Sequence, residues 1–95
     1  MEKYKEGWKQ FISLCQEIED DKLLSTLFDL LLTPEERESI AMRCLIIHAL
    51  LEQKHTQRDI AKNLMVSISK ITRGSNELKR MKPAFLEHLK SKLLK

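Results

Sequence analysis

The chain has 95 residues, of which 42% are hydrophobic and 33% charged, and its formal net charge is +3. This length excludes a large multidomain enzyme, and the apolar content exceeds what a disordered chain would carry. Glycine and proline occur only twice each, while Leu, Lys, Glu and Ile dominate, so an all-α fold with short connections is expected. A chain of this size buries about two-thirds of its unfolded surface, so pairing with a second chain would add stability.

The charges are unevenly distributed along the chain. Residues 1–52 carry 6 Lys/Arg against 11 Asp/Glu, whereas residues 53–95 carry 11 against 3. Eight of the basic residues fall between Lys54 and Lys82, a concentration that favours a polyanionic partner. Charge alone is equally consistent with a solvated helix face.

The cysteines and the apolar runs indicate the compartment. Cys15 and Cys44 lie far apart at apolar positions of helical patterns, so we expect buried free thiols rather than a disulfide or a zinc site. The N-terminus lacks a hydrophobic signal core, and no apolar run reaches the ~18–20 residues that span a bilayer. The sequence therefore predicts a cytoplasmic protein with no metal and no membrane partner.

Two helices are predicted before residue 33. The first carries an apolar stripe at intervals of three and four residues: Tyr4, Trp8, Phe11, Cys15 and Ile18. The second, over residues 22–32, is apolar on more than one side, so we expect it to be deeply buried.

The third helix has a strong start signal in Thr33-Pro34-Glu35-Glu36. Thr33 is suited to the N-cap, Pro34 to the first helical position and Glu36 to the third, which completes a capping box. The predicted helix is about 17–20 residues long. Arg43 lies beside its apolar seam, where position alone favours a snorkelling surface arginine. The seam itself is Ile40, Cys44, Ile47 and Leu51.

Two short helices with a tight turn are predicted next. Thr56 begins the first of them, with Asp59 three residues later, and Ser67 is suited to cap the second. A helix-turn-helix needs a small residue in its first helix, an apolar residue near the turn and an apolar anchor in its second helix. Ala61, Val66 and Ile71 meet these needs. The second helix would expose short polar and cationic side chains suited to phosphates and base edges: Ser69, Lys70, Thr72, Arg73 and Asn76.

Two residues depart from the usual helix-turn-helix pattern. Met65 occupies the turn position that often holds glycine, so the turn must differ slightly or accept strain. Gly74 falls inside the predicted second helix, where glycine costs about 1 kcal/mol relative to alanine. Close approach of a ligand or of DNA would explain it, and a fraying helix or a C-cap is the alternative. Pro83 then opens a last helix.

Two stretches together resemble the tryptophan repressor family: Leu32-Thr33-Pro34-Glu35-Glu36-Arg37-Glu38 and Ile71-Thr72-Arg73-Gly74-Ser75-Asn76, the second preceded by Gln57-Arg58 at a fitting distance. The clear match runs from about Leu30 to Lys79. The resemblance implies one domain over residues 1–95, a helix-turn-helix at about 56–80 and a six-helix protomer in an interlocked homodimer. It also implies an L-tryptophan-dependent transcriptional repressor that binds double-stranded operator DNA and controls tryptophan biosynthesis or related genes.

The resemblance further implies where L-tryptophan, the corepressor, binds. The backbone carbonyls of Leu30 and Leu32, with Thr33, would receive its ammonium group. The physics agrees, because carbonyl groups at the end of a helix favour a cation.

The aromatic ring and the carboxylate of the ligand would meet the third and fifth helices. Arg43 and Arg73 would flank the indole, Arg73 would also meet the carboxylate, and Gly74 would let the ligand approach the helix. The chain departs from the family's better-known members at Glu77, where they have a serine that helps hold the ligand, and at Met42, where they have a small polar residue. A carboxylate beside that of the ligand would repel it unless Glu77 turns away, pairs with Arg73 or accepts the indole N–H.

On the DNA side, the resemblance implies two overlapping sets of contacts. The phosphate contacts would be made by Gln57, Arg58, Lys70, Thr72 and Arg73. The base-edge contacts, partly through water, would be made by Ile68, Ser69 and Thr72. Because Ser69 and Lys70 lie among the reading positions, the operator preference need not copy that of the family.

Two other classes of function compete with this interpretation. A ligand-independent helix-turn-helix module, such as a replication-initiator or sigma-factor-like reader, would share the fold and need no effector, and Glu77 keeps this alternative open. A small enzyme is disfavoured, because the histidines show no metal-ligand spacing with the cysteines and no nucleophile motif or phosphate loop is present.

Overall fold

The computed structural model describes residues 2–94, and over that range the chain forms six α-helices and no β-strand. The helices are α1 (Glu2–Glu17), α2 (Asp21–Leu31), α3 (Pro34–Glu52), α4 (Gln57–Leu64), α5 (Ile68–Lys79) and α6 (Pro83–Leu93). The all-α prediction is confirmed. The domain predicted over residues 1–95 extends one residue beyond the described range at each end.

The chain divides into two compact units, one ending at Arg37 and one beginning at Glu38. The N-terminal unit holds α1, α2 and the first turn of α3. The C-terminal unit holds the rest of α3 together with α4, α5 and α6.

In the N-terminal unit, aromatic rings join α1 to α2. The ring centroid of Phe11 lies 5.3 Å from that of Trp8 and 6.1 Å from that of Phe28. Neither helix buries a residue completely, and Leu30 is 80% exposed. The expectation that α2 is deeply buried is therefore wrong for the single chain, because a helix with apolar residues on several sides cannot cover all of them against one neighbour.

The junction between α2 and α3 follows the predicted local chemistry. The backbone N–H of Glu36 donates to Thr33 Oγ1 at 3.1 Å, and the N–H of Thr33 donates to Glu36 Oε1 at 2.8 Å. This reciprocal pair is the capping box expected from the sequence. Arg37 also pairs with Asp29, which links the first turn of α3 to the end of α2.

The C-terminal unit has a small apolar core formed by α3, α4 and α5. Its buried residues are Ile46, Ile60, Ala61 and Ile71, and Val66 packs against them with several partly buried neighbours. The helix-turn-helix packing predicted for Ala61, Val66 and Ile71 is thus observed.

The apolar seam predicted for α3 is only partly correct. Leu51 is buried, but Ile40 and Cys44 are exposed, and Ile46 contributes to the core instead. The face of α3 that packs on the helix-turn-helix carries Met42 and Ile46, which lie to one side of the predicted seam. Cys44 is therefore not the buried thiol that we expected. Cys15 is partly buried, and both cysteines are free.

The turn of the helix-turn-helix contains a residue with a left-handed backbone conformation that is not a glycine. Met65 has φ 58° and ψ 44°, and the N–H of Val66 donates to the carbonyl of Ala61 at 3.0 Å. Thr56 caps α4 as predicted, since its Oγ1 accepts from the N–H of Asp59 at 3.1 Å. Ser67 precedes α5 as predicted, but its hydroxyl does not cap the helix and pairs with the hydroxyl of Ser69 instead.

Candidate functional site

A cleft of about 450 Å³ lies between α3 and α5 in the C-terminal unit. Each helix contributes residues at intervals of three and four, so one face of each helix forms one wall. The lining residues are Ser39, Met42, Arg43, Ile46 and Ile47 from α3, and Lys70, Arg73, Gly74 and Glu77 from α5. A cleft of this size matches the volume of small-molecule sites in proteins.

Gly74 allows α3 and α5 to pack closely beneath the cleft. A Cβ atom at this position would lie 3.1 Å from Ile46 Cγ2 and 3.4 Å from Leu50 Cδ1. Gly74 sits within α5, so a fraying helix or a C-cap is the wrong explanation for it. The structure supplies a reason that the sequence did not indicate, which is contact with the side chains of α3.

The charged side chains of the cleft are of both signs. Arg43, Lys70 and Arg73 line it as cations, and Glu77 lines it as a carboxylate. Glu77 Oε1 accepts a hydrogen bond from Arg80 Nη1 at 3.2 Å. Glu77 thus pairs with Arg80, not with Arg73 as one of the sequence-based alternatives had it. Arg43 is exposed and lines the cleft from α3.

The other three residues of the predicted ligand site belong to the N-terminal unit. Leu30 and Leu32 lie at the C-terminal end of α2, where helix carbonyls lack partners within the helix. The Thr33 hydroxyl is engaged in the capping box of α3. Of the predicted ligand residues, the structure therefore brings together Arg43, Arg73, Gly74 and Glu77 around one cleft.

The residues predicted to contact DNA lie on α4 and α5. Gln57 is the first residue of α4, and its side-chain Oε1 accepts a hydrogen bond from Thr72 Oγ1 at 3.0 Å. The other predicted contacts are exposed: Arg58, Ile68, Ser69, Lys70 and Arg73. Lys70 and Arg73 also line the cleft, so α5 contributes to both the predicted ligand site and the predicted DNA surface.

Three features of this region were not predicted from the sequence. They are the Glu77–Arg80 pair, the contact between Gly74 and the side chains of α3, and the Thr72–Gln57 hydrogen bond. The Glu77–Arg80 pair could have been predicted, because an acid and a base three residues apart on a helix are neighbours. The other two join residues that are 15 or more positions apart, and nothing in their spacing pairs them.

Among residues 2–94, no cluster of three or more His, Cys, Asp or Glu side chains is arranged to hold a metal ion. No helix in that part of the chain is long and apolar enough to cross a membrane.

The fold and the cleft define a helix-turn-helix protein with a small-molecule-sized cleft beside its second helix. The family model described as Trp repressor protein matches residues 6–93. The chain belongs to the Trp repressor family, as the sequence motifs indicated. It is therefore a transcriptional regulator of the Trp repressor type and not an enzyme.

Curated relatives cover nearly the whole chain. A Trp operon repressor homolog of Chlamydia trachomatis serovar D is 47% identical over 87 residues, which are 92% of this chain and 93% of that protein. Homologs of the same name from Chlamydia caviae and Mannheimia succiniciproducens are 49% and 45% identical over 85 residues. Each of these two alignments covers 90% of this chain and 84% of the relative.

Proposed function

We propose that this chain is an L-tryptophan-dependent repressor that binds operator DNA as a homodimer and controls tryptophan biosynthesis or related genes. The observation that carries the proposal is the cleft between α3 and α5, in which Arg43 and Arg73 stand on either side beside Gly74. Membership of the Trp repressor family supports the same function.

The chemistry of the cleft fits an aromatic amino acid. Guanidinium planes attract the faces of aromatic rings, and an arginine forms charge-assisted hydrogen bonds with a carboxylate. Arg43 and Arg73 would therefore flank the indole ring, and Arg73 would also bind the carboxylate. The carbonyls of Leu30 and Leu32 with Thr33 would receive the ammonium group of the ligand, and the Glu77 carboxylate would face the same group.

The ligand would regulate DNA binding through α5. Lys70 and Arg73 line the cleft, while Ser69 and Thr72 are exposed on the same helix. A ligand wedged between α3 and α5 would favour one position of α5 and so shift the population towards the DNA-binding conformation. Ligand and operator must then strengthen each other's binding by the same factor. The helix-turn-helix segments of the two protomers would fit successive major grooves about 34 Å apart, a spacing known for helix-turn-helix dimers, the Trp repressor among them.

The homodimer is supported by the apolar surface of the N-terminal unit. Tyr4, Trp8, Leu23 and Leu30 are exposed in the single chain. Exposed apolar residues in this number mark an interaction surface, and a second copy in an interlocked dimer would cover them. We also propose a cytoplasmic location, where free cysteines such as Cys44 stay reduced.

Calorimetric titration of L-tryptophan into dialysed protein of known mass in solution tests the proposal. We expect one site per chain on a dimer, and Arg43→Ala should remove the tryptophan dependence of operator binding. The absence of heat at several temperatures would contradict the corepressor function. If operator binding by Arg43→Ala still responded fully to L-tryptophan, Arg43 would be excluded from the ligand site.

The second candidate is a ligand-independent helix-turn-helix reader, such as a replication-initiator or sigma-factor-like module. The carboxylate of Glu77 in the cleft favours it, because a negative charge opposes the carboxylate of an amino acid. DNA binding that is unchanged by saturating L-tryptophan would support this candidate over the first.

A further inference from the structure

The cleft between α3 and α5 carries more positive than negative charge. Arg43, Lys70 and Arg73 line it as cations, and among residues 2–94 no carboxylate oxygen lies within 4.0 Å of their side-chain nitrogens. Glu77 lines the same cleft but pairs with Arg80. Cations that converge without a counter-charge repel one another, so the cleft favours a bound anion.

The charged residues that α5 contributes to the cleft follow a defined order along the helix. Lys70 comes first, Arg73 lies three residues later, and Glu77 lies four residues after Arg73. At a rise of about 1.5 Å per residue, the two ends of this row are about 10 Å apart along the helix axis. A ligand with a negative and a positive group side by side therefore has one favourable orientation, with its negative group beside the two cations.

We infer that Lys70 is a ligand-binding residue, which together with Arg73 binds the carboxylate of the amino acid and makes that carboxylate necessary for tight binding. The inference rests on the proposed function and extends it, because the family resemblance implies only a DNA-phosphate contact for Lys70. A carboxylate has two oxygens with about four lone-pair sites, so it can accept from an ammonium group and a guanidinium group at once. In the reverse orientation the carboxylate of the ligand would face Glu77, and the two negative charges would repel each other.

The position of Lys70 combines a fixed backbone with a mobile charge. Ile71, the next residue, is 0% exposed and anchors this turn of α5 in the core. This packing fixes the rotation of α5 that directs Lys70 towards the cleft. The lysine side chain itself is exposed, and its flexible four-carbon stem carries a compact charge with three N–H donors. The ammonium group can therefore move onto a ligand while the helix stays in place.

Titration calorimetry of L-tryptophan into the full chain tests the inference. Lys70→Met keeps most of the side-chain length and removes the charge, so it should weaken L-tryptophan binding about tenfold. Lys70→Arg keeps a cation and should keep most of the affinity. Lys62→Met, on α4 and outside the cleft, is the matched control and should bind L-tryptophan like the wild type. Equal affinities of Lys70→Met and the wild type would overturn the inference.

L-Tryptophanamide separates a contact with the carboxylate from simple packing of the lysine stem. This ligand replaces the carboxylate by a neutral amide of nearly the same shape. The wild type should prefer L-tryptophan to the amide, and Lys70→Met should reduce that preference about tenfold, because its loss is confined to the charged ligand. An equal loss of affinity for both ligands would contradict the inference. Failure of the wild type to bind L-tryptophan would instead contradict the proposed function.

Operator binding distinguishes the ligand contact from the phosphate contact. With L-tryptophan at saturation, Lys70→Met should leave the slope of log K against the logarithm of the salt concentration unchanged, because the charge of Lys70 faces the ligand. Fluorescence anisotropy over a series of salt concentrations measures this slope. A slope that is shallower by about 1, together with unchanged L-tryptophan affinity, would assign Lys70 to the DNA and overturn the inference.

Discussion

Glu77 accepts a hydrogen bond from Arg80 across one turn of α5, at 3.2 Å between Oε1 and Nη1. Both side chains are more than half exposed, and ion pairs in that setting contribute little stability. Glu77 can therefore leave Arg80 for a stronger partner in the cleft. Arg73 lies four residues earlier and also lines the cleft, so one wall presents a cation and an anion one turn apart. An α-amino acid has the complementary arrangement, with a carboxylate beside an ammonium group.

Glu77→Gln is expected to weaken L-tryptophan binding about tenfold, because a neutral amide is a poorer partner for an ammonium group than a carboxylate. Binding of indole-3-propionate, which lacks the ammonium group, should become stronger in the same variant. Titration calorimetry with both ligands measures the two effects. Arg80→Gln is the control and should strengthen L-tryptophan binding slightly by releasing Glu77. Tighter L-tryptophan binding in Glu77→Gln would mean that repulsion of the ligand's carboxylate dominates.

Gly74→Ala is expected to lower the free energy of unfolding by about 1 kcal/mol, since overpacking a core outweighs the helix propensity that alanine adds. The new Cβ would lie 3.1 Å from Ile46 Cγ2, and Ile46 is held in the core. Gly7→Ala is the matched control, because a Cβ there meets nothing within 4 Å and should stabilise α1. Urea denaturation measures both changes. Equal stabilisation by the two substitutions would show that Ile46 moves freely.

Met65→Gly is expected to raise the free energy of unfolding by about 0.5–1 kcal/mol, because glycine adopts a left-handed backbone without steric cost. Met65 has φ 58° and its side chain is 90% exposed, so its removal sacrifices little buried surface. Met65→Ala keeps the Cβ and should leave stability nearly unchanged. The two variants are compared by thermal and urea unfolding. A gain in the alanine variant equal to that in the glycine variant would remove the backbone explanation.

Arg58→Ala is expected to weaken binding to all duplexes about equally. It should also make the slope of log K against the logarithm of the salt concentration shallower by about 1, as the loss of one phosphate contact does. Arg58 is exposed in the first turn of α4, where the chain is rich in cations. Fluorescence anisotropy over a series of salt concentrations measures the slope. Lys5→Ala, in α1, removes the same charge and should leave the slope unchanged. A changed base preference with an unaltered slope would exclude the phosphate role.

Local spacing explains why three of the predicted ligand residues line the same cleft. Arg73, Gly74 and Glu77 share one face of α5 because they lie three and four residues apart, and any helix over these positions brings them together. The residues of α3 that face them could not be chosen in the same way. Arg43 enters the predicted site through the family resemblance and not through its spacing.

The sequence by itself determined where α3, α4 and α6 begin. Thr33 with Glu36, Thr56 with Asp59, and Pro83 act through hydrogen bonds or backbone restraints within a few residues, so their effect does not depend on the rest of the fold.

Only the tertiary structure decided which helix faces pack against each other. Ile46 rather than Cys44 became part of the core, and Gly74 came to lie against Ile46, because the rotation of α3 about its axis depends on how the side chains of three helices interlock. The hydrogen bond of Thr72 with Gln57 arose from the same packing. Such contacts join residues that are far apart in the sequence, so the residues next to them in the chain do not predict which ones will pair.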